Sequence, residues 1–196
     1  FHNLDAPSPE NAPTQAALYR EAEILSEMAL VHDEQKADPN VTGLALHFSS
    51  EKRQKMRDIH PSIALAMNSL DANEIQRPHR HNSVALDLAI SAPESGVYTL
   101  MGPELNEDGW VKNPFRVEWK TGGVFLTPPG WWHSHHNESN KIAWVLPIQD
   151  AGLFTHQRTL DIRFVDDEIE LHRGGKIRGS AFTLTDKQYT DIKNNM

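Results

Sequence analysis

The chemistry-bearing residues of this chain concentrate in two short runs that space histidines two apart, Pro78-His79-Arg80-His81 and Trp131-Trp132-His133-Ser134-His135-His136-Asn137. In an extended strand successive side chains alternate between faces, so His79 and His81 share one side, as do His133 and His135. Two such strands brought together gather up to four imidazoles at one point. Imidazole is a ligand for iron, zinc, copper and nickel, and the pattern predicts a transition-metal site inside a β-barrel. The chain contains no cysteine, which excludes disulfides, thiolate ligands and cysteine nucleophiles and is the composition expected of a cytoplasmic protein.

The neighbouring residues supply further candidates. Arg77 has the parity of His79 and His81 if the strand runs regularly through Pro78, and it is either a clamp for a substrate carboxylate or an arginine of the rim. Asp87 shares that parity farther along. A buried carboxylate needs a partner, so Asp87, a substrate-binding candidate, either supports an imidazole N–H or lies beyond the cavity near the far end of the strand. Trp131 and Trp132 point to opposite faces, one toward the core and the other toward the cavity or an interface; Trp132 is taken as the substrate-facing one. The prolines of Thr127-Pro128-Pro129-Gly130 fix φ and end a strand, and Gly130 permits a left-handed turn, so this run serves to aim His133. His32, His47, His60 and His172 lack paired spacing and read as surface or core imidazoles.

Positioning two histidine strands requires a scaffold, and the remaining pattern predicts one. From Thr14 to about His32, Leu18, Ala22, Leu25, Met28 and Ala29 recur at helical spacing, with Thr14 as N-cap. Strands are expected at Val41 to Phe48, Ile63 to Leu70, Ile75 to Ile90 as one long strand, Val97 to Met101, Phe115 to Trp119, Val124 to Thr127, Ile142 to Ile148 and Leu160 to Val165. Turn residues separate them, and short strands at this spacing make a sandwich or a barrel. Three prolines in residues 1–13 predict an arm that crosses the surface or a partner subunit, hence a homodimer. The predicted organisation is an arm and helix over 1–40, a β-barrel over 41–165, and an extension over 166–196 packed on the barrel, with edge strands and a last helix at Thr185 to Ile192. A length of 196 residues suits one domain. The net charge of −8 and the absence of a dense Lys/Arg stripe argue against nucleic acid, and no apolar run reaches the roughly 18 residues of a membrane span.

Gly122, Pro128-Pro129-Gly130, His133 and Asn137 match the second conserved motif of the cupin superfamily at every defined position. His79 and His81 match the histidine core of its first motif. The glutamate that usually follows is replaced, since the positions hold Val84, Ala85 and Leu86. With Trp132-His133-Ser134-His135-His136-Asn137-Glu138, the chain resembles the gentisate 1,2-dioxygenase group and its salicylate- and hydroxynaphthoate-cleaving relatives. The resemblance spans about Val41 to Asp150, one cupin domain where those relatives usually carry two. It implies an all-β double-stranded β-helix, the jelly-roll cupin barrel, with the N-terminal helical arm added. It also implies Fe(II) held by His79, His81 and His133, with His135 free to act as acid–base helper or to replace one of the three. Asn68 falls where those enzymes carry a substrate-facing glutamine, and Asp150 is the nearest match to an acid of the family. The implied reaction is cleavage of a hydroxylated aromatic acid, gentisate- or salicylate-like, by dioxygen. Because fold does not fix function, two rivals stand: C–C cleavage, lyase or isomerase chemistry on a small carboxylate or diketone, and a non-catalytic metal- or ligand-binding module.

Overall fold

Turn residues cut the chain into short strands that pair in an order different from their sequence. The computed structural model describes residues 12, 14–35, 44–50, 53 and 58–165. Helix α1 (Glu21–Gln35) precedes β1 (Leu44–His47), β2 (Ala64–Leu70), β3 (Ile75–His81), β4 (Ala85–Ser91), β5 (Val97–Gly102) and β6 (Phe115–Glu118). Then follow β7 (Val124–Thr127), β8 (Trp132–Asn137), β9 (Ala143–Gln149), α2 (Ala151–Gln157) and β10 (Ile162–Phe164). One five-stranded sheet has the order β1-β2-β9-β4-β7 and the other β10-β3-β8-β5-β6. Every pairing is antiparallel. From β2 to β5 and from β6 to β10 each strand crosses to the facing sheet, so the chain forms an all-β jelly roll.

Between the sheets, Ala89, Val97, Trp119, Ala143 and Val145 form a buried cluster against which Phe125 packs. The sheet carrying the histidines has its own outer cluster of Val111, Trp132 and Val165. No described helix is long and apolar enough to cross a membrane.

The strand expected to run from Ile75 to Ile90 is two strands in different sheets. Side-chain bonding at residues 82–83 competes with the ladder and turns the chain. Asn82 donates to the Thr159 carbonyl (2.8 Å) and accepts from the Asp161 N–H (3.0 Å). Helix α1 begins at Glu21, later than Thr14, because Glu23 reaches back to the Arg20 N–H (3.3 Å) and pairs with its guanidinium, a reciprocal first-turn contact that fixes the start. Its Met28 is buried, whereas Leu18, Leu25 and Leu30 stay exposed.

Helix α2 has no counterpart among the elements predicted from sequence. Gly152 explains how it fits: a Cβ there would lie 2.6 Å from the Ile63 nitrogen. The amino-terminal arm (apart from residue 12) and the extension 166–196, with its expected edge strands and last helix, lie outside the described residues.

Candidate metal centre

The histidine strands β3 and β8 are hydrogen-bonded neighbours, with His79 opposite His133 and Gln76 opposite His135. The ring of His133 lies 4.1 Å from that of His79, 4.9 Å from His81 and 5.6 Å from His135, centroid to centroid. His133 is therefore the hub of a four-imidazole cluster. The ligand atoms of His79, His133 and His135 all lie within 4.8 Å of one another; His81, 6.4 Å from His79 by ring centroid, falls outside this tightest trio.

The motif residues around the rings act on the backbone. Gly130, at φ +76°, turns its N–H onto the His81 carbonyl (2.7 Å) and so pins the turn before β8 to the end of β3. At the other end of β8, Asn137 is fully buried, and its Nδ2 donates toward the carbonyls of Leu70, Asp71 and Lys141 at 2.7–3.0 Å. These contacts hold β8 at both ends, between which the histidines lie.

The hydrogen bonds of the rings set their tautomers. A carbonyl oxygen can only accept, so each Nδ1 that faces one carries the proton and leaves Nε2 bare for a metal. That is the case for His79 at the Arg77 carbonyl (3.3 Å), His81 at the Ser83 carbonyl (2.8 Å) and His133 at the Trp131 carbonyl (3.1 Å). His135 differs, because its Nδ1 lies 2.8 Å from the Thr99 hydroxyl. That oxygen already accepts from Trp119 Nε1 (2.8 Å) and can donate to His135, leaving the proton on Nε2.

Burial keeps the cluster neutral. It pulls His79 down to about 4, with His81 adding to the shift. His133 and His135 fall well below the ordinary imidazole range, by burial first and then by the surrounding rings. His81 is lowered by burial, while the Ser83 carbonyl and Asp150 pull the other way. Uncharged, enclosed imidazoles with bare nitrogens are the donor set that a divalent transition metal requires, so the residues fit such an ion.

The other expected site residues separate. Arg77 is not in the cavity: the register shifts between Gln76 and His79, where Pro78 cannot donate to the ladder. The guanidinium lies instead 4.9 Å over the Trp110 ring, beside His136 on the outer face. Trp132 is also outward, because His133 next to it faces in; it is 4 % exposed and sits under Arg80. Asn68 does line the cavity beside His135, with its Oδ1 buried and unpartnered among the described residues.

Asp150 accepts from the Val84 N–H (2.9 Å) and thus braces the turn that holds His81. Asp87 is buried inside the barrel and accepts from the Thr127 hydroxyl (2.8 Å). Two further residues meet the site without being candidates from sequence: Gln76, which shares the cavity with Asn68, Trp119 and His135, and Thr99, which meets His135. Pro78 inside a strand was the available signal for Gln76; nothing in sequence marks Thr99.

Fold and site together define an all-β jelly roll with a buried polyhistidine centre. No protein-family model matches the sequence, and no curated protein matches it either. Among solved structures it is similar to salicylate 1,2-dioxygenase from Pseudaminobacter salicylatoxidans, with TM-score 0.55 and 19% identity, over 71% of this chain and 37% of that one. A structure of that enzyme with gentisate gives TM-score 0.53 and 18% identity over 82% of this chain. An oxalate oxidase gives TM-score 0.50 at 12% identity, over 81% of this chain and 68% of that one. The chain spans 37% of the salicylate dioxygenase it matches.

Proposed function

We propose that this chain is an Fe(II)-dependent dioxygenase acting on a substrate that chelates through two oxygens, a hydroxylated aromatic acid of gentisate or salicylate type. The observation that carries the reading is a four-imidazole cluster in which, among the described residues, no carboxylate takes part. Neutral ligands leave a divalent ion its full charge, and an anionic chelator neutralises it. When bound, the ion supplies Lewis acidity toward the substrate's oxygens and redox chemistry toward dioxygen.

His79, His81 and His133 are the proposed holders. The tightest geometric trio has His135 in place of His81; what supports His81 as the third holder is the Ser83 carbonyl at its Nδ1, while the Thr99 hydroxyl at His135 Nδ1 supports a proton on His135 Nε2. His135 then keeps a proton at Nε2 to give to, or take from, substrate. Asn68 and Gln76 orient polar groups beside it, and Leu70, Trp119 and Val145 form the dry wall of the same cavity.

One observation favours a second reading, turnover of a small carboxylate or diketone: the space beside His135 is about 10 Å³, the size of a single water. The homodimer remains a proposal, resting on an arm outside the described residues. Oxygen uptake by anaerobically iron-loaded protein tests the proposal with gentisate, salicylate, hydroxynaphthoates and simple diketones. Uptake with an aromatic acid is expected, and uptake with diketones alone moves the assignment to the second reading. If no compound consumes oxygen, the dioxygenase proposal is wrong.

A further inference from the structure

We propose that Asp87 recognises the end of the substrate away from the metal, and that it selects a hydrogen-bond donor there, a hydroxyl or an amine, against a second carboxylate. This rests on the reading that the histidine cluster holds a chelated substrate.

Register places Asp87 on the wall facing that cluster. Along β4 the inward residues are Ala85, Asp87 and Ala89, and their β9 partners are Gln149, Pro147 and Val145. Gln149 accepts from the Ser83 hydroxyl (3.1 Å), which also contacts His81 Nδ1 (3.0 Å). Val145 lines the cavity of His135. The Asp87 row lies between these two rows, on the sheet that faces the histidine strands. The residues before and after it on that face are alanines, Ala85 and Ala89, whose side chains are small.

The hydrogen bonding of Asp87 is incomplete. It is 4 % exposed, and among the described residues Thr127 is its single hydrogen-bond donor. A buried carboxyl with one neutral donor is costly; burial pushes it up to about 6. A ligand hydroxyl or amine would satisfy the remaining oxygen.

Charge points the same way. The arginines nearest the cluster in sequence and register, Arg77, Arg80 and Arg116, lie over Trp110, Trp132 and Tyr98 at 4.9, 4.7 and 3.4 Å. Those rings are on the outer face. A carboxylate sent toward Asp87 would meet a like charge, with these three arginines placed on the other side of the sheet. A site built around a polar partner discriminates strongly against a ligand that cannot supply it.

The test titrates cobalt-substituted protein under anaerobic conditions with salicylate, gentisate, 5-aminosalicylate and 5-carboxysalicylate, following the visible spectrum of the metal. Salicylate carries nothing at the far end and reports chelation alone. In the wild type, gentisate and 5-aminosalicylate should bind at least tenfold tighter than salicylate, and 5-carboxysalicylate weaker than salicylate. In Asp87→Leu the gentisate-to-salicylate ratio should fall to about one; Asp87→Asn, which keeps shape and the Thr127 bond, should restore affinity for 5-carboxysalicylate. If salicylate chelates but the donor preference is the same in all three proteins, the Asp87 assignment is wrong while the metal reading stands. If no compound perturbs the cobalt spectrum, the chelation reading fails and the inference falls with it.

Discussion

At the scale of single residues, the four clustered histidines are not equivalent, and what separates them is the partner of Nδ1. Three face carbonyls and one faces a hydroxyl. His135→Ala should therefore keep its metal while losing about 10²–10⁴ in turnover, the usual worth of a positioned acid or base; metal analysis beside kinetics checks the split. Thr99→Val leaves Trp119 Nε1 and His135 Nδ1 without their shared partner, and denaturant melts should show a loss of roughly 1–3 kcal/mol. Asp87 works in the opposite direction. Its folded value of about 6 exceeds the ordinary 3.8, so its contribution is fully favourable only below about 4 and is lost as pH rises through 6. At roughly 1.4 kcal/mol per unit, Asp87→Asn should stabilise the protein by on the order of 2–3 kcal/mol at pH 8 and by little at pH 4. A gain in stability joined to a loss of ligand selectivity is the signature of a site residue.

At the scale of elements, one bulge accounts for most of what the sequence pattern mispositioned. Alternation correctly gathers the histidines of β3 and β8, because both pairs lie on regular stretches. It fails for Arg77 and Gln76 because Pro78 lies between them and His79, and a single skipped position exchanges the faces of every residue before it. The all-β architecture and the Gly130 turn were legible because turn chemistry is local. The strand break at Asn82 and Ser83 was not, since its bonds reach Thr159 and Gln149, residues far away in the chain. Helix α2 was hidden for a similar reason: Gly152 argues against a helix locally, yet close contact with the turn at 60–63 demands it. Gly152→Ala should cost about 2–3 kcal/mol, read as a shifted denaturation midpoint with an unchanged m-value.

At the scale of the whole molecule, a buried neutral histidine cluster makes the metal-free protein sensitive to acid. His79 folds with a value near 4 against an ordinary 6.5, so the folded state binds fewer protons than the unfolded one across that window. Stability is complete above about 6.5 and lost as pH falls toward 4. Asp87 opposes this between about 4 and 6, but it is one group against four imidazoles shifted downward. Equilibrium denaturation should show lower stability at pH 5 than at pH 7. The difference should be larger with metal present, because protons compete with the ion for the same nitrogens.

The most direct test of the central claim is the metal content, per chain, of wild type, His133→Ala, His81→Ala and His135→Ala purified in parallel and dialysed against the same iron-containing buffer. The cluster predicts one ion per chain in the wild type and in His135→Ala, and little or none in the other two. Full metal content in His133→Ala, the ring closest to the others, would contradict the proposed site outright; loss in His135→Ala with retention in His81→Ala would transfer the third ligand to His135.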